Sequence, residues 1–133
     1  MATTTASITI SSGDLTGDAL SLSSTATLTK AASATGLDQT TGVARKFFAG
    51  AQTAFNLIAA SDYTADKAHK LYIKNTSTSN SEFITVEIGG SNVSLGRLYG
   101  GDWLFVPYDG NNDVDIDTSD VNMTVEYLVI YEA

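Results

Sequence analysis

Few side chains in this sequence are of the types that catalyse reactions. The only histidine, His69, lies in the polar context Lys-Ala-His-Lys, and the chain contains no cysteine. Acyl transfer needs a nucleophile, a base and an orienting acid, yet no Gly-x-Ser-x-Gly turn is present to hold a serine. One histidine without cysteine also leaves only carboxylates as metal ligands. We therefore expect His69 to be an exposed loop residue and the protein not to be an enzyme.

An acidic run at residues 109–117 resembles a calcium-binding loop, because oxygen-bearing side chains recur at alternate positions. Asp109, Asn111 and Asp113 are a weak candidate for such a site, since Ca²⁺ takes oxygen ligands. An EF-hand loop that started at Asp109 would need Gly at position 114 and Glu at position 120, and neither is present. We therefore predict no metal and no cofactor.

The favoured interpretation of this run is a strand. Val114 and Ile116 then point into the core, while the aspartates on either side of them form a solvated face. The acidic character extends further, because residues 101–133 hold eight acidic side chains and no Lys or Arg. Such a surface suits a basic partner, or simply keeps the protein in solution.

Trp103 is the only tryptophan, and Leu104 and Phe105 follow it on a predicted strand. A carbohydrate-cleaving site would place two carboxylates in a groove lined with aromatic side chains. We expect Trp103 to be an anchor of the core or of a subunit interface instead.

The overall composition fits one globular domain with few charges. At 133 residues the chain is long enough to bury one core. The formal net charge of −8 disfavours binding to nucleic acid, since that affinity comes from Lys and Arg. Residues 1–10 have neither a basic start nor a continuous apolar run, so we expect no signal peptide, no membrane anchor and folding in a cytoplasm.

The composition changes near residue 44. Residues 1–44 are rich in Ala, Ser, Thr and Gly and contain no aromatic residue. Apolar residues of this segment alternate with Ser and Thr, as in a half-buried strand: Ile8, Ile10, Leu20 and Leu22. The pattern predicts an extended N-terminal arm that depends on a neighbouring surface, such as another subunit, for its order.

Residues 45–133 carry strand signals at short, even intervals, separated by clusters of Gly, Asn, Asp and Ser that favour turns. The predicted strands are 54–58, 71–75, 83–88, 93–98, 103–107, 114–116 and 123–131. Residues 61–69 are expected to form a turn or a single helical turn. About eight short strands in one domain predict an antiparallel β-sandwich of the jelly-roll type.

Two of these strands have a predicted position in their sheets. Pro107 cannot donate a backbone hydrogen bond, so its strand should be an edge strand or end there. The last strand becomes continuously apolar from Leu128 to Ile130, which indicates burial on both faces. A sheet of another subunit would supply the second covering surface.

The second part of the chain contains three motifs in succession. The first is a strand that ends in Asn, the second is a variable loop, and the third is a Gly-Asp corner before an apolar strand. They lie in Leu71–Asn75, Phe83–Gly89, Leu95–Pro107 and Val125–Ile130. In this the chain resembles small jelly-roll virion structural proteins of tailed phages. Its first part is similar to the starts of virion proteins from phages of marine cyanobacteria at residues 1–6, 28–31 and 36–42. In the corner itself, Gly101 permits the bend and Asp102 can cap free amides where the next strand begins.

The resemblance implies a non-enzymatic capsid decoration or cement protein, located in the virion, that packs on the head shell and on copies of itself. Its partners would be further copies, a trimer by analogy, and the major capsid protein or another virion protein. The family offers no catalytic residue to carry over. Our interface candidates are apolar residues of the arm and of the sandwich: Ile8, Ile10, Leu20, Leu22, Trp103, Phe105, Tyr127, Leu128, Ile130 and Tyr131.

Two alternatives stay open. A fibre or spike module would recognise a host glycan through the loops Thr76–Ser81 and Asp109–Asn112, with Tyr108 as the nearest exposed aromatic residue. A neck or tail component of the particle would differ mainly in copy number and symmetry.

Overall fold

The computed structural model describes residues 3–15, 17, 19–89 and 93–133. The chain divides into two compact units, Met1–Asp38 and Gln39–Ala133. Both units consist of antiparallel strands. The only helical segment in the described part of the chain is one 3₁₀ turn at Ala60–Asp62, in agreement with the single turn predicted near this position.

The first unit is a long β-hairpin. Strand β1 (Thr4–Ser12) pairs with β2 (Leu20–Leu28) over nine residues each, from Thr4 opposite Leu28 to Ser12 opposite Leu20. After β2 the chain returns to the hairpin, because the amide of Leu37 donates to the carbonyl of Leu28 at 2.9 Å. The hydroxyl of Thr4 donates to the carbonyl of Leu37 at 3.2 Å. The arm is therefore a folded hairpin with its own hydrogen bonds.

Within its described residues, the second unit contains nine strands. They are β3 (Gln39–Thr40), β4 (Ala44–Phe48), β5 (Phe55–Ile58), β6 (His69–Asn75), β7 (Phe83–Ile88), β8 (Ser94–Tyr99), β9 (Trp103–Tyr108), β10 (Val114–Thr118) and β11 (Met123–Tyr131). The strands form two sheets. One has the order β5-β10-β7-β8, and the other has the order β3-β11-β6-β9 with β4 also paired to β11.

This strand order is that of a jelly roll. From β4 to β11, every connection crosses from one sheet to the other, except the β7–β8 hairpin. All neighbouring strands are antiparallel. Eight strands wound in this way into two facing sheets form the double Greek key of the jelly roll. The predicted fold class, an antiparallel β-sandwich, is confirmed.

The core lies between the two sheets and follows the alternation of the strands. Because successive side chains of a strand point to opposite faces, every second residue faces inward. The inward apolar residues of the strands with at most 1% exposure are Leu71, Ile73, Ile84, Val86, Val114, Ile116, Met123, Val125 and Val129. The predicted inward orientation of Val114 and Ile116 is thereby confirmed.

Every strand predicted from residue 54 onward forms, with ends shifted by at most two residues. Strand β4 was not predicted, because Ala-Arg-Lys-Phe-Phe lacks an alternating pattern. The first unit ends at Asp38, and β3 already pairs with β11 in the second unit. Residues 39–44, which composition groups with the arm, therefore belong to the sandwich unit.

Strand β9 is an edge strand, as Pro107 predicts. Strand β11 is central, because it pairs with β6 on one side and with β3 and β4 on the other. The apolar end of β11 is therefore paired on both sides with strands of the same chain. Its hydrogen bonding requires no strand from another subunit.

Candidate functional site

The hairpin of the first unit has two chemically different faces. On one face every residue is Ser or Thr, in the opposed pairs Thr5–Thr27, Ser7–Thr25, Thr9–Ser23 and Ser11–Ser21. Ser7 and Thr25 share a hydrogen bond of 2.7 Å. Neither β1 nor β2 contains a charged residue. The segregation follows from the two-residue period of the sequence.

The other face of the hairpin is apolar, and we call it the hairpin face: Ile8, Ile10, Leu20 and Leu22. Ile10 lies directly opposite Leu22, and Leu20 lies opposite Ser12. These four side chains are between 39% and 46% exposed. An uncharged apolar strip of this kind is a candidate contact site. All four residues were predicted as interface candidates, and the pairing brings them together on one face.

A second exposed apolar area lies on the outer face of the β4-β11-β6-β9 sheet, and we call it the aromatic face: Tyr72, Trp103, Phe105, Leu128 and Ile130. Phe105 lies opposite Tyr72, which in turn lies opposite Leu128. Trp103 is 51% exposed and Phe105 is 37% exposed. Large aromatic side chains on the solvent side of a sheet are typical of interface anchors. Four of the predicted interface residues therefore share this face.

Tyr127 and Tyr131, also interface candidates, occupy the opposite side of β11 and pack against the core. The ring of Tyr131 meets the ring of Tyr63 edge to face, with centroids 5.3 Å apart. The alternation of the strand explains the difference, because residues 127 and 131 are out of step with 128 and 130. These two tyrosines are partly buried and pack on the core side of their sheet.

His69 is fully buried, so the expectation of an exposed loop residue is wrong. Its Nδ1 accepts the amide of Glu132 at 3.2 Å, and Nε2 then carries the proton and donates to the carbonyl of Thr64 at 2.9 Å. The rings of Tyr63, Tyr108 and Tyr131 surround it. The reason for the error is that β6 begins at His69, two residues earlier than predicted, which places the imidazole in step with the inward residues.

Tyr108 borders the same cluster and is only 4% exposed. Its hydroxyl donates to the carbonyl of Asn112 at 2.8 Å. Burial, followed by the nearby Tyr63 hydroxyl, raises the pKa of Tyr108 to about 12. The side chain is therefore a structural donor, and it is not the exposed aromatic that the glycan-binding alternative expects beside its loops.

The candidate calcium ligands hold loops together. Asp109 accepts the amide of Asn111 at 3.0 Å, and Asn111 donates to Asp66 at 2.9 Å. Asp113 accepts the amide of Ala60 at 2.8 Å and the side chain of Asn56. Among the residues that the structure describes, no group of three or more His, Asp or Glu side chains could hold a metal ion.

The Gly-Asp corner is built around a buried asparagine, Asn75, which pattern reasoning did not single out for a role. Its side chain donates to the carbonyls of Leu98 and Glu82 and accepts the amide of Ser77. Gly101 takes a φ of 87° and donates its amide to the carbonyl of Asn75. The terminal Asn of the strand motif thus satisfies the buried polar groups of the corner.

Asp102 also has a capping role in the corner, with a different partner from the predicted one. Its carboxylate accepts the amide of Tyr99, at the end of β8, at 2.9 Å. The prediction placed the capped amides at the start of the following strand. Asp102 therefore caps the end of β8, the strand before the corner, and not the start of β9.

A third surface is the outer face of the β5-β10-β7-β8 sheet, and we call it the acidic face: Glu87, Asp113, Asp115 and Asp117. Asp115 lies directly opposite Glu87 in the ladder. Glu87 is only 5% exposed, and its Oε2 has no hydrogen-bond partner within the described part of the chain. Burial, and then the carboxylates of Asp113 and Asp117, raise the pKa of Asp115. The face therefore holds carboxylates that nearby groups do not neutralise.

The chain matches no protein-family model, no curated protein and no solved structure. No helix in the described ranges is long and apolar enough to cross a membrane.

Proposed function

We propose that the chain is a non-enzymatic structural protein of a virus particle, a capsid decoration or cement protein that packs on copies of itself and on the head shell. The observation that carries the proposal is the hairpin face. It gathers four large apolar side chains on two strands without charged residues, and these strands belong to a compact unit of their own.

The energetics of the hairpin favour a partner. A two-stranded hairpin is marginally stable in water, because it has no second layer against which to bury its apolar side chains. Covering the hairpin face would contribute about 25 cal/mol for each Å² of apolar surface removed from water. The absence of charge from β1 and β2 removes the desolvation cost that ionised side chains would add in a close contact.

The state of the titratable side chains supports a non-enzymatic role. His69 has both ring nitrogens engaged by backbone groups inside the core. Asp109 and Asp113 accept backbone amides that hold their loops. Catalytic acids and bases need access to a substrate at hydrogen-bonding distance, and these groups have structural partners instead.

The placement in a virus particle depends on the resemblance to jelly-roll virion proteins. The strand order supports it at the level of the fold, because the segments that carry the resemblance lie in β6, β7, β8, β9 and β11 of a jelly roll. Such folds occur in many unrelated proteins, so the exposed faces carry the functional part of the proposal.

The experiment compares the full-length chain with a variant in which Ile10 and Leu22 are both changed to Ser. The matched control changes the pair Thr9 and Ser23, on the opposite face of the same hairpin, to Ala. Light scattering at micromolar concentration should give a discrete oligomer for the wild type and the control, and a smaller mass for Ile10→Ser with Leu22→Ser. A monomeric wild type, or an unchanged mass for the apolar variant, would contradict self-packing through the hairpin.

One observation favours the second candidate function, a fibre or spike module that binds a host glycan. Trp103 is half exposed beside the corner at Gly101, and sugars stack on aromatic rings of this kind. Titration with neutral oligosaccharides should then quench the fluorescence of Trp103, the only tryptophan. An unchanged spectrum across a broad glycan panel would remove this candidate.

A further inference from the structure

The two outer faces of the sandwich carry opposite charge. The outward residues of β4, β6 and β11 beside the aromatic face include three cations and one anion: Arg45, Lys70, Lys74 and Glu126. Arg45 and Glu126 form an ion pair of 2.9 Å. Lys74, opposite Trp103 in the ladder, has no ion-pair partner within 4 Å in the described part of the chain. This side of a chain with a net charge of −8 is therefore locally positive.

The acidic face, in contrast, has few cations. It holds four carboxylates, and Arg97 is the only Lys or Arg in its four strands. The guanidinium of Arg97 lies over the ring of Phe83, 4.3 Å from the centroid. Two acidic side chains, Glu87 and Asp115, lie directly opposite one another in the ladder, a position at which like charges are destabilising. The unpartnered Oε2 of buried Glu87 is a second, independent sign that this face lacks a cation.

We propose that these two faces bind each other between copies of this chain, with the aromatic face of one copy packed on the acidic face of the next. Lys74 of the first copy then lies over the carboxylates of the second, while the ammonium of Lys70 stays bound to the carbonyls of Ala68 and His69. A second copy is the partner that the charges favour, because both complementary surfaces are present on one chain. The net charge of −8 opposes association of two copies at long range, and the opposite charges of these two faces offset that repulsion locally.

The geometry of the sandwich sets the form of this assembly. The two faces are different surfaces on opposite sides of one sandwich, so the contact is head to tail. A head-to-tail contact that does not close into a ring generates an open row of molecules. The contact would act within the structural role proposed above, but it involves no residue of the hairpin, so either contact can fail without the other.

The area of the contact predicts its strength. A four-stranded face with ~4.8 Å between strands and ~3.3 Å per residue over ~6 residues has a projected area of roughly 400 Å². Stable complexes bury about 800 Å² on each partner. The association should therefore be weak and concentration-dependent, growing well above the micromolar range in which the hairpin contact is tested.

Sedimentation velocity of the full-length chain over a concentration series tests the proposal. The wild type should form progressively larger species at low salt, and about 0.5 M salt should suppress them by screening. Lys74→Glu should abolish this growth. Lys30→Glu, which changes the charge equally in the first unit, is the control and should behave as the wild type.

Mixing two variants shows whether the contact is head to tail. Asp115→Lys alone should also abolish growth, and an equimolar mixture of Asp115→Lys with Lys74→Glu should regain association, because each variant keeps one face unaltered. If Asp115→Lys fails to fold, Asp115→Asn takes its place with a smaller effect. Growth that persists in Lys74→Glu, or a wild type that stays uniform in size at every concentration, would overturn the proposal.

The hairpin variant separates the two contacts. The double variant Ile10→Ser with Leu22→Ser should no longer form the small discrete oligomer. At high concentration it should still form the larger, salt-sensitive species seen in sedimentation velocity. Loss of both at once would show that the faces do not associate by themselves, and would contradict the head-to-tail contact while leaving the hairpin role intact.

Discussion

Nδ1 of His69 accepts the backbone amide of Glu132 at 3.2 Å, which ties the first residue of β6 to the residue after β11. The other ring nitrogen binds the carbonyl of Thr64, so one side chain joins three separate parts of the sandwich. Three tyrosine rings pack around the imidazole, with centroids 5.6 to 6.3 Å from its own. The single histidine of the chain therefore acts as a structural crosslink.

We expect His69→Ala to reduce the free energy of unfolding by about 2–4 kcal/mol. The change leaves a cavity among the rings and removes the partners of a buried amide and a carbonyl. Urea unfolding followed by the fluorescence of Trp103 measures it. A loss below about 0.5 kcal/mol, the range of ordinary surface changes, would contradict the crosslink.

Asn75 holds the corner between β8 and β9 in a similar way. Asn75→Ala leaves the carbonyls of Leu98 and Glu82 and the amide of Ser77 without their side-chain partner. We expect a loss of about 2–4 kcal/mol in urea unfolding, since unsatisfied buried polar groups cost about 1–3 kcal/mol each before relaxation. Asn80→Ala, at an exposed position of the adjacent loop, is the control and should change little.

Gly100 allows the corner to lie against the loop that follows β6. A Cβ at Gly100 would clash with the carbonyl oxygen of Ser79, which belongs to the backbone and cannot rotate away as a side chain can. Gly100→Ala should therefore destabilise the sandwich by about 1–3 kcal/mol. Gly50→Ala has open space around the new methyl group and should be neutral or slightly stabilising. Equal thermal midpoints for the two variants would refute the close approach.

Most of the fold could be predicted from the sequence because two local signals agree. Alternation of apolar and polar residues defines strands such as 83–88 and 123–131, and turn residues separate them. The sequence pattern does not predict β4, because Arg45 and Lys46 interrupt the alternation of apolar and polar residues. Its position comes from long-range pairing with β11, which no local pattern encodes.

The candidate site was predictable only in part, for a related reason. Ile8, Ile10, Leu20 and Leu22 could be grouped because one hairpin register brings them together. The aromatic and acidic faces depend instead on which strands become neighbours in the sandwich, such as β6 beside β9 and β10 beside β7. Glu87 gave no local signal, because its burial results from residues distant in sequence.

The raised pKa of Asp115 makes a prediction about stability and pH. A carboxyl whose pKa in the folded state lies above its unfolded value of 3.8 stabilises the fold below that value, and this contribution is lost as the pH rises through the folded pKa. At neutral pH the ionised Asp115 is therefore unfavourable. Asp115→Asn should raise the free energy of unfolding by about 0.2–1 kcal/mol at pH 7.

The pH dependence of this gain distinguishes its cause. Because protonation neutralises Asp115 in the wild type, the advantage of Asp115→Asn should shrink as the pH falls and vanish below 3.8. Urea unfolding of both proteins at several pH values measures the difference. Asp120→Asn, the same substitution at an exposed turn, serves as the control and should show no such gain. A gain that stays constant down to acid pH would mean that packing, and not the charge of Asp115 beside Asp113 and Asp117, determines the stability of this position.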